Sequence, residues 1–469
     1  MHIAIILFVL VVFFVNNLTF LDPDFGWHLK LGELISRQGI PSTDPFSYTM
    51  PSFPFVDHEW LTNIIFYDLY QNVGMAVMAL LFAAIALLAL LVVKPQNEGS
   101  AFALAPFLLA CAVLLPFLGV RPQVETWALT AVLLKVVTDD RLWVKWRWFL
   151  PVYFVLWANL HGGFVLGLVI LIFVSALKSL VQRKIFTSDL VVVLSSILVT
   201  LLNPYGFNLW KEVWQQLSDN NLRSAIMEWI PLFLGLDWAL LAFMPLAVLS
   251  GILIYRYRSK LTLTQISLYV FLMLAGLSSR RHTPLWVLTA LPLTIQTLGF
   301  FYKEIGNIKF AQERFNKAYK VFLIAAFFFL ALEAFFYVGD LKKRQEKNFY
   351  PQQAVQFLKQ RSRSGRIFSS YHWGGYLIWK LPEQKVFVDG RMPSWRWQAP
   401  YQQESSAAFD EYDQVLNNID GLKILDKYQV QFVLWPKNKH IEGFEDRLQK
   451  AKWQKVYEDQ TGTVYERSE

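Results

Sequence analysis

Eleven stretches of this chain are apolar enough to sit in hydrocarbon. They fall near residues 3–20, 73–93, 101–119, 125–138, 148–160, 164–180, 188–203, 237–254, 262–279, 284–301 and 321–338. A bilayer core about 30 Å thick asks for roughly 20 apolar residues in a helix, because no water is there to bond an open backbone. The runs near 125–138 and 148–160 are short by that measure. The pattern predicts a polytopic α-helical membrane protein of about eleven spans. Composition agrees, since 17% of residues are charged against roughly 25% in soluble domains. The net charge of +8 does not imply a nucleic-acid partner, because much of the Lys and Arg sits in short loops between spans. The single cysteine, Cys111, lies inside an apolar run, which excludes a disulfide framework. The first run lacks a basic leader and a small-residue cleavage site, so it reads as a retained span.

Placing the N-terminus in the cytoplasm and alternating puts Lys94, Arg141, Lys145, Arg147, Lys178, Arg183, Lys184, Arg256, Arg258, Lys260 and the run from Lys303 to Lys320 on the inside. These are the basic loops of the chain, so the positive-inside rule favours this orientation. The unusual polar residues then converge on the outer side, together with everything after about residue 339.

From residue 341 the pattern changes. Residues 351–361 have helical periodicity. Residues 366–370, 376–379 and 385–391 read as strands broken by Gly and Pro. Residues 424–428 read as a helix end, followed by strands at 430–435, 453–457 and 463–465. The expected organisation is a transmembrane domain, 1–340, that includes an outer loop at 21–60, and a small extracytoplasmic α/β domain, 341–469.

The outer loop carries Asp22, Asp24, His28, Glu33, Asp44, Asp57, His58 and Glu59. Ionisable groups are costly near a bilayer and mark functional sites by default. Asp22-Pro23-Asp24 can hold a divalent cation such as Mg or Mn beside phosphate oxygens, or supply a general base. The competing reading makes Asp24 the cap of a helix over 25–36, with Asp22 merely solvated. His28 is one helical turn after Asp24, which suits an Asp–His bond, a substrate contact or simple anchoring of the loop. Asp24, Asp22 and His28 are the catalytic candidates. Asp44 reads as a turn residue bonding backbone amides. Asp57 suits a helix cap, and His58 and Glu59 are candidates for lining a cleft.

Arg121, Arg280 and Arg281 stand on the outer side, against the topology rule. Snorkelling to headgroups explains any one of them. Three together are better explained by a bound anion, because the guanidinium fork matches phosphate oxygens. Polyprenyl phosphates and pyrophosphates are the anions met at this depth. His161, Glu228 and His282 complete the cleft-lining candidates. His161-Gly162-Gly163 either points its imidazole into a cleft or closes a tight turn with Asn159. Residues 208–229 have the spacing of an interfacial helix.

A first span, a long outer loop with Asp-x-Asp near its start, about ten more spans and a soluble outer tail resemble the GT-C superfamily of membrane glycosyltransferases. The phrases Asp22-Pro23-Asp24-x-x-Trp27-His28-Leu29, Asp44-Pro45-Phe46-Ser47-Tyr48-Thr49, Glu59-Trp60-Leu61, Trp157-Ala158-Asn159-Leu160-His161-Gly162-Gly163 and Val388-Asp389-Gly390-Arg391 resemble an uncharacterised bacterial membrane-protein family associated with that superfamily. The resemblance implies inverting transfer of a sugar from a polyprenyl-phosphate donor to an extracytoplasmic glycan, lipid or protein acceptor, in a bacterial inner membrane. It places the loop carboxylate on Asp24, with Asp22 as second choice, and the donor phosphate on the arginines. No WWDYG-like motif is present, so protein N-glycosylation is not implied. The alternatives are a transporter or flippase of lipid-linked glycans, and an envelope assembly scaffold.

Overall fold

The structure is a computed structural model. It describes residues 2–95, 102–219, 222–223, 226–306, 308–343, 346–360, 365–437 and 443–468. Residues 101 and 361, each at the edge of an expected element, lie outside these.

Each expected span has a helix. They are His2–Thr19, Trp60–Val93, Leu104–Leu114, Gln123–Thr138, Leu150–Leu160, Phe164–Gln182, Thr187–Val199, Trp238–Arg256, Leu263–Ser278, Thr283–Glu304 and Lys309–Lys343. Among the described residues, five helices are long and apolar enough to cross a bilayer on length and composition, and four shorter ones are apolar. The chain is thus a multi-pass membrane protein. Helix Leu104–Leu114 is buried along its whole length and Thr283–Glu304 along most of it. An apolar helix buried on every face belongs at the centre of a bundle.

By its contacts the chain forms two compact units. A helical unit comprises Met1–Leu18, Ala76–Val213 and Arg223–Gly339; a mixed unit comprises Thr19–Met75, Trp214–Leu222 and Asp340–Glu469. The helix Trp60–Val93 breaks at Gly74, whose φ of 72° lies in the left-handed region, beside the boundary between the units. Only glycine takes that conformation without steric cost.

The mixed unit is built on a four-stranded sheet of β1 (Arg366–Ser369), β2 (Val430–Pro436), β3 (Trp453–Glu458) and β4 (Gly462–Arg467), in the order β1-β2-β4-β3. β1 runs parallel to β2, and the other pairs are antiparallel. Residues 21–60, grouped by sequence with the spans, bury their apolar side chains with the tail. Trp27, Leu31, Tyr48, Phe53 and Phe55 share one core with Tyr376, Phe387, Trp395 and Trp435. The loop helix Phe25–Gln38 meets helix Gly374–Lys380 backbone to backbone. A Cβ at Gly26 would lie 2.1 Å from the Gly375 carbonyl oxygen, and one at Gly375 would lie 2.3 Å from that of Pro23.

Three expectations are corrected. Residues 376–379 are helical, because an aromatic and aliphatic run buried on all sides reads alike as strand or helix. Residues 385–391 make only isolated bridges, from Val386 to Ser47 and Ile367. The interfacial helix covers Asn208–Ser218 and does not continue to Trp229.

Candidate functional site

The mixed unit gathers Asp22, Asp24, His28, His58 and Glu59 around the start of two helices. Asp22 is 5% exposed, and its Oδ1 accepts the Asp24 backbone N–H at 2.8 Å. Asp24 occupies the cap position of helix Phe25–Gln38, yet its carboxylate makes no capping hydrogen bond. Asp22, and not Asp24, thus bonds the backbone of this turn, against the competing reading of Asp24 as the cap. The Asp24 carboxylate lies over Gly390, where a Cβ would come within 1.9 Å of Oδ1. The buried Tyr350 donates its hydroxyl to the Leu21 carbonyl at 2.9 Å. Burial first, then the charges of Asp22 and Asp24, pushes that phenol well above its usual range.

His28 turns away from Asp24. Its Nδ1 lies 2.6 Å from Asn63 Oδ1, and Asn63 Nδ2 donates to Asp57 Oδ2 at 2.7 Å. A carboxylate accepts, so the Asn63 amide must face Asp57 with its nitrogen, and His28 Nδ1 must carry the proton. The expected Asp24–His28 side-chain bond is replaced by this chain. Glu59 Oε2 stands 3.7 Å from His28 Nδ1, and its Oε1 stands 3.4 Å from His58 Nε2. Burial lowers the His28 pKa, against the opposing pull of Glu59. Burial and then the Glu59 charge raise Asp57 to about 6. Asp57 also accepts the Glu59 N–H at 3.0 Å, close to the capping role read from sequence.

Asp44 accepts the backbone N–H groups of Phe46 and Ser47, as its turn reading requires. It also meets Arg391 Nη1 at 2.9 Å. Arg391 forks onto Asp389 at 2.8 and 2.6 Å. Burial opposes charge on this guanidinium, but the two carboxylates outweigh it and raise its pKa. The conspicuous Asp389-Gly390-Arg391 phrase thus ties the loop to the tail.

The helical unit gathers Arg121, Arg280 and Arg281 along one segment, residues 226–237. Arg121 pairs with Glu228. The Arg281 N–H donates to the Glu228 carbonyl at 2.9 Å, and the Arg280 N–H donates to that of Ile230 at 3.1 Å. The Arg280 guanidinium pairs with Asp237, and that of Arg281 lies 4.7 Å from the Trp229 ring centre. Residues Arg280–His282 form a single 3-10 turn before helix Thr283–Glu304, with Pro284 in its first turn. His282 is edge-on to Trp229. His161 stands apart from these, buried, with Nδ1 2.7 Å from Thr126 Oγ1 and accepting the Gly163 N–H at 3.0 Å. That geometry favours the tight-turn reading.

Sequence reasoning missed Asn63, Tyr350 and Asp237 as partners. Asn63 had a signal, since Thr62 and Asn63 are polar residues buried in the first turn of an apolar helix. Tyr350 had none, being more than 300 residues from Leu21. Among the described residues, no group of three His, Cys, Asp or Glu gathers to hold a metal. Asp22 and Asp24 supply two carboxylates, the number with which Mg²⁺ is commonly bound beside substrate phosphates.

No protein-family profile and no curated protein matches the sequence. Solved structures do match. The archaeal oligosaccharyltransferase AglB from Archaeoglobus fulgidus, in complex with an inhibitory peptide and a dolichol-phosphate, aligns over 93% of this chain and 69% of its own, with a TM-score of 0.50 at 11% identity. At that identity the likeness is one of fold. The chain shares the fold of that structure, a polytopic helical part followed by a C-terminal α/β part.

Proposed function

We propose that this chain is an inverting glycosyltransferase, taking a sugar from a polyprenyl-phosphate donor to an extracytoplasmic acceptor. The supporting observation is a GT-C fold extending over 93% of the chain and shared with an oligosaccharyltransferase that holds dolichol-phosphate. In the reaction the acceptor oxygen bonds to the anomeric carbon as the bond from that carbon to the phosphate oxygen breaks. The phosphate leaves with the electron pair, and the acceptor proton passes to a base. Asp24 is the base, because its carboxylate does not serve the helix it precedes. Asp22 sets the turn that presents it, and His28 orders the same loop through Asn63 and Asp57. Arg281, whose guanidinium lies over the Trp229 ring, is the principal ligand of the leaving phosphate. Arg121 and Arg280, paired with Glu228 and Asp237, hold the segment that carries Trp229. The bilayer is a bacterial inner membrane with the tail outside, an orientation supported by the distribution of Lys and Arg.

The test is turnover of a radiolabelled polyprenyl-phosphate sugar by purified protein in detergent, where transport has no meaning. Release of polyprenyl phosphate with an inverted anomeric product supports the enzyme. Tight donor binding without turnover over a panel of glycan, lipid and peptide acceptors favours the transporter.

A further inference from the structure

The helical unit contains a cavity of about 110 Å³ that the proposed chemistry does not use. It lies among the ends of several helices. Val93 is the last residue of Trp60–Val93, Lys135 and Thr138 are in the last turn of Gln123–Thr138, and Gln265 is in the first turn of Leu263–Ser278. The fourth wall is the helix Thr283–Glu304, between Leu288 and Gln296. Arg121 and Arg280 precede the N-terminal ends of their helices, whereas Lys135 lies 12 residues into its own. At about 1.5 Å per residue that is roughly 18 Å further along. The distribution of Lys and Arg puts this end of the bundle at the cytoplasmic surface.

Three features make the cavity more than a packing gap. Lys135 is half-buried in its wall, and among the described residues no carboxylate pairs with it. Gln265 Oε1 accepts the Thr262 N–H in a capping box, which turns Gln265 Nε2 toward Gln296 Oε1 at 3.3 Å. The Gln296 amide nitrogen is thereby left as a donor. Pro292 lies inside its helix and has no N–H, so the carbonyl of Leu288, a residue of the wall one turn earlier, lacks its usual donor four residues on. The cavity therefore brings a cation, two glutamine amides and a carbonyl short of its helical donor together with several leucines.

We propose that this cavity binds the head group of an inner-leaflet phospholipid of the anionic, polyhydroxy class. The phosphate lies against Lys135 and the Gln296 amide, and a head-group hydroxyl donates to the Leu288 carbonyl. Basic pockets between spans on the cytoplasmic side suit such lipids. A head group ending in an amine brings a second cation beside Lys135 and is disfavoured.

The experiment is native mass spectrometry of the full chain, titrated in detergent with phosphatidylglycerol or phosphatidylethanolamine. Wild type should hold one phosphatidylglycerol in preference to the amine lipid. Lys135→Gln and Gln296→Leu should each weaken that binding about tenfold, the scale of one charge-assisted hydrogen bond. Lys178→Gln, on the same side but outside the cavity, should leave it unchanged. Two variants are used because either alone could perturb folding, which unfolding curves without added lipid would show. Wild-type affinity in both folded variants overturns the proposal. So does equal binding of the two lipids, and so does displacement of phosphatidylglycerol by millimolar inorganic phosphate, which would make the site one for the free anion.

Discussion

The charges of the mixed unit and those of the helical unit are matched to different degrees. In the mixed unit, the side chains of Arg391 and Asp44 are 4% and 0% exposed, and Arg391 is paired with two carboxylates. In the helical unit, Arg121 and Glu228 are 20% and 30% exposed, and Asp237 is 37% exposed. Water weakens those pairs, so they can be exchanged for other partners at small cost. A buried triad whose charges offset one another holds structure. Half-solvated cations beside an aromatic ring can hold a ligand.

The strongest break of this contrast is Arg391→Ala. It leaves Asp44 and Asp389 buried with their countercharge gone, which costs about 3–5 kcal/mol. The tail and the loop 21–60 should then become sensitive to protease together, because they share one core. Arg121→Ala should leave the proteolysis pattern of wild type. Equal resistance of the Arg391 variant would mean that the triad does not hold the unit.

The second effect is on turnover. Asp24→Asn should lower it at least about a hundredfold, the usual scale for a positioned acid–base group, with unfolding unchanged because no cap is lost. Gly390→Ala sharpens this result, since the added methyl displaces the Asp24 carboxylate without removing its charge. It should reproduce much of the loss. Normal rates in both variants would move the base to another acid of the loop.

The spans were legible because hydrocarbon imposes a length and a composition that no tertiary contact overrides. The turn at Asp44 was legible for a similar reason, since Asp-Pro-Phe-Ser bonds its own backbone. The pairing of Arg391 with Asp44 was not, because an acid and a cation separated by hundreds of residues carry no periodic signal. Asp22 and Asp24 were recognised as a pair, but which of them serves the turn depends on one backbone hydrogen bond that spacing does not reveal. The run at 376–379 misled because its helix packs at the close approach of Gly26 and Gly375, a contact between segments far apart in the sequence.

The third effect is a pH dependence confined to the mixed unit. The folded pKa of Asp57, about 6, stands above its ordinary 3.8. The native state therefore binds the extra proton between those values, and its contribution is full below the lower pKa and is lost as pH rises through about 6. Asp57→Asn removes that loss. Between pH 4 and pH 7 the variant should gain roughly 2–3 kcal/mol on wild type, the scale of a shift of about two units. His28 works the other way, because its pKa is lowered. Its contribution is full above its ordinary 6.5 and is lost as pH falls through the folded value, in wild type and variant alike. Thermal unfolding followed by tryptophan fluorescence from pH 4 to 7.5 would read the difference. A gap that does not change with pH would reject the assignment.

The smallest effect, and the most discriminating within the helical unit, concerns the adjacent arginines. Arg280 and Arg281 lie in one 3-10 turn and point in different directions. Arg280 is 9% exposed at its side chain and is committed to Asp237. Arg281 lies over Trp229, with its backbone N–H held by Glu228. Lysine keeps the charge at either place but lacks the planar fork, so it serves a point contact and fails a two-oxygen one. Arg281→Lys should weaken donor binding about tenfold, the loss of one charge-assisted hydrogen bond. Arg280→Lys and Arg121→Lys should bind donor almost as wild type and show their effect, if any, in stability. Titration of a fluorescent polyprenyl phosphate into each purified variant separates the outcomes. A loss at Arg280 with none at Arg281 would transfer the phosphate to the Asp237 side of the turn. Wild-type binding in all three would end the phosphate-clamp reading and leave these cations to lipid headgroups.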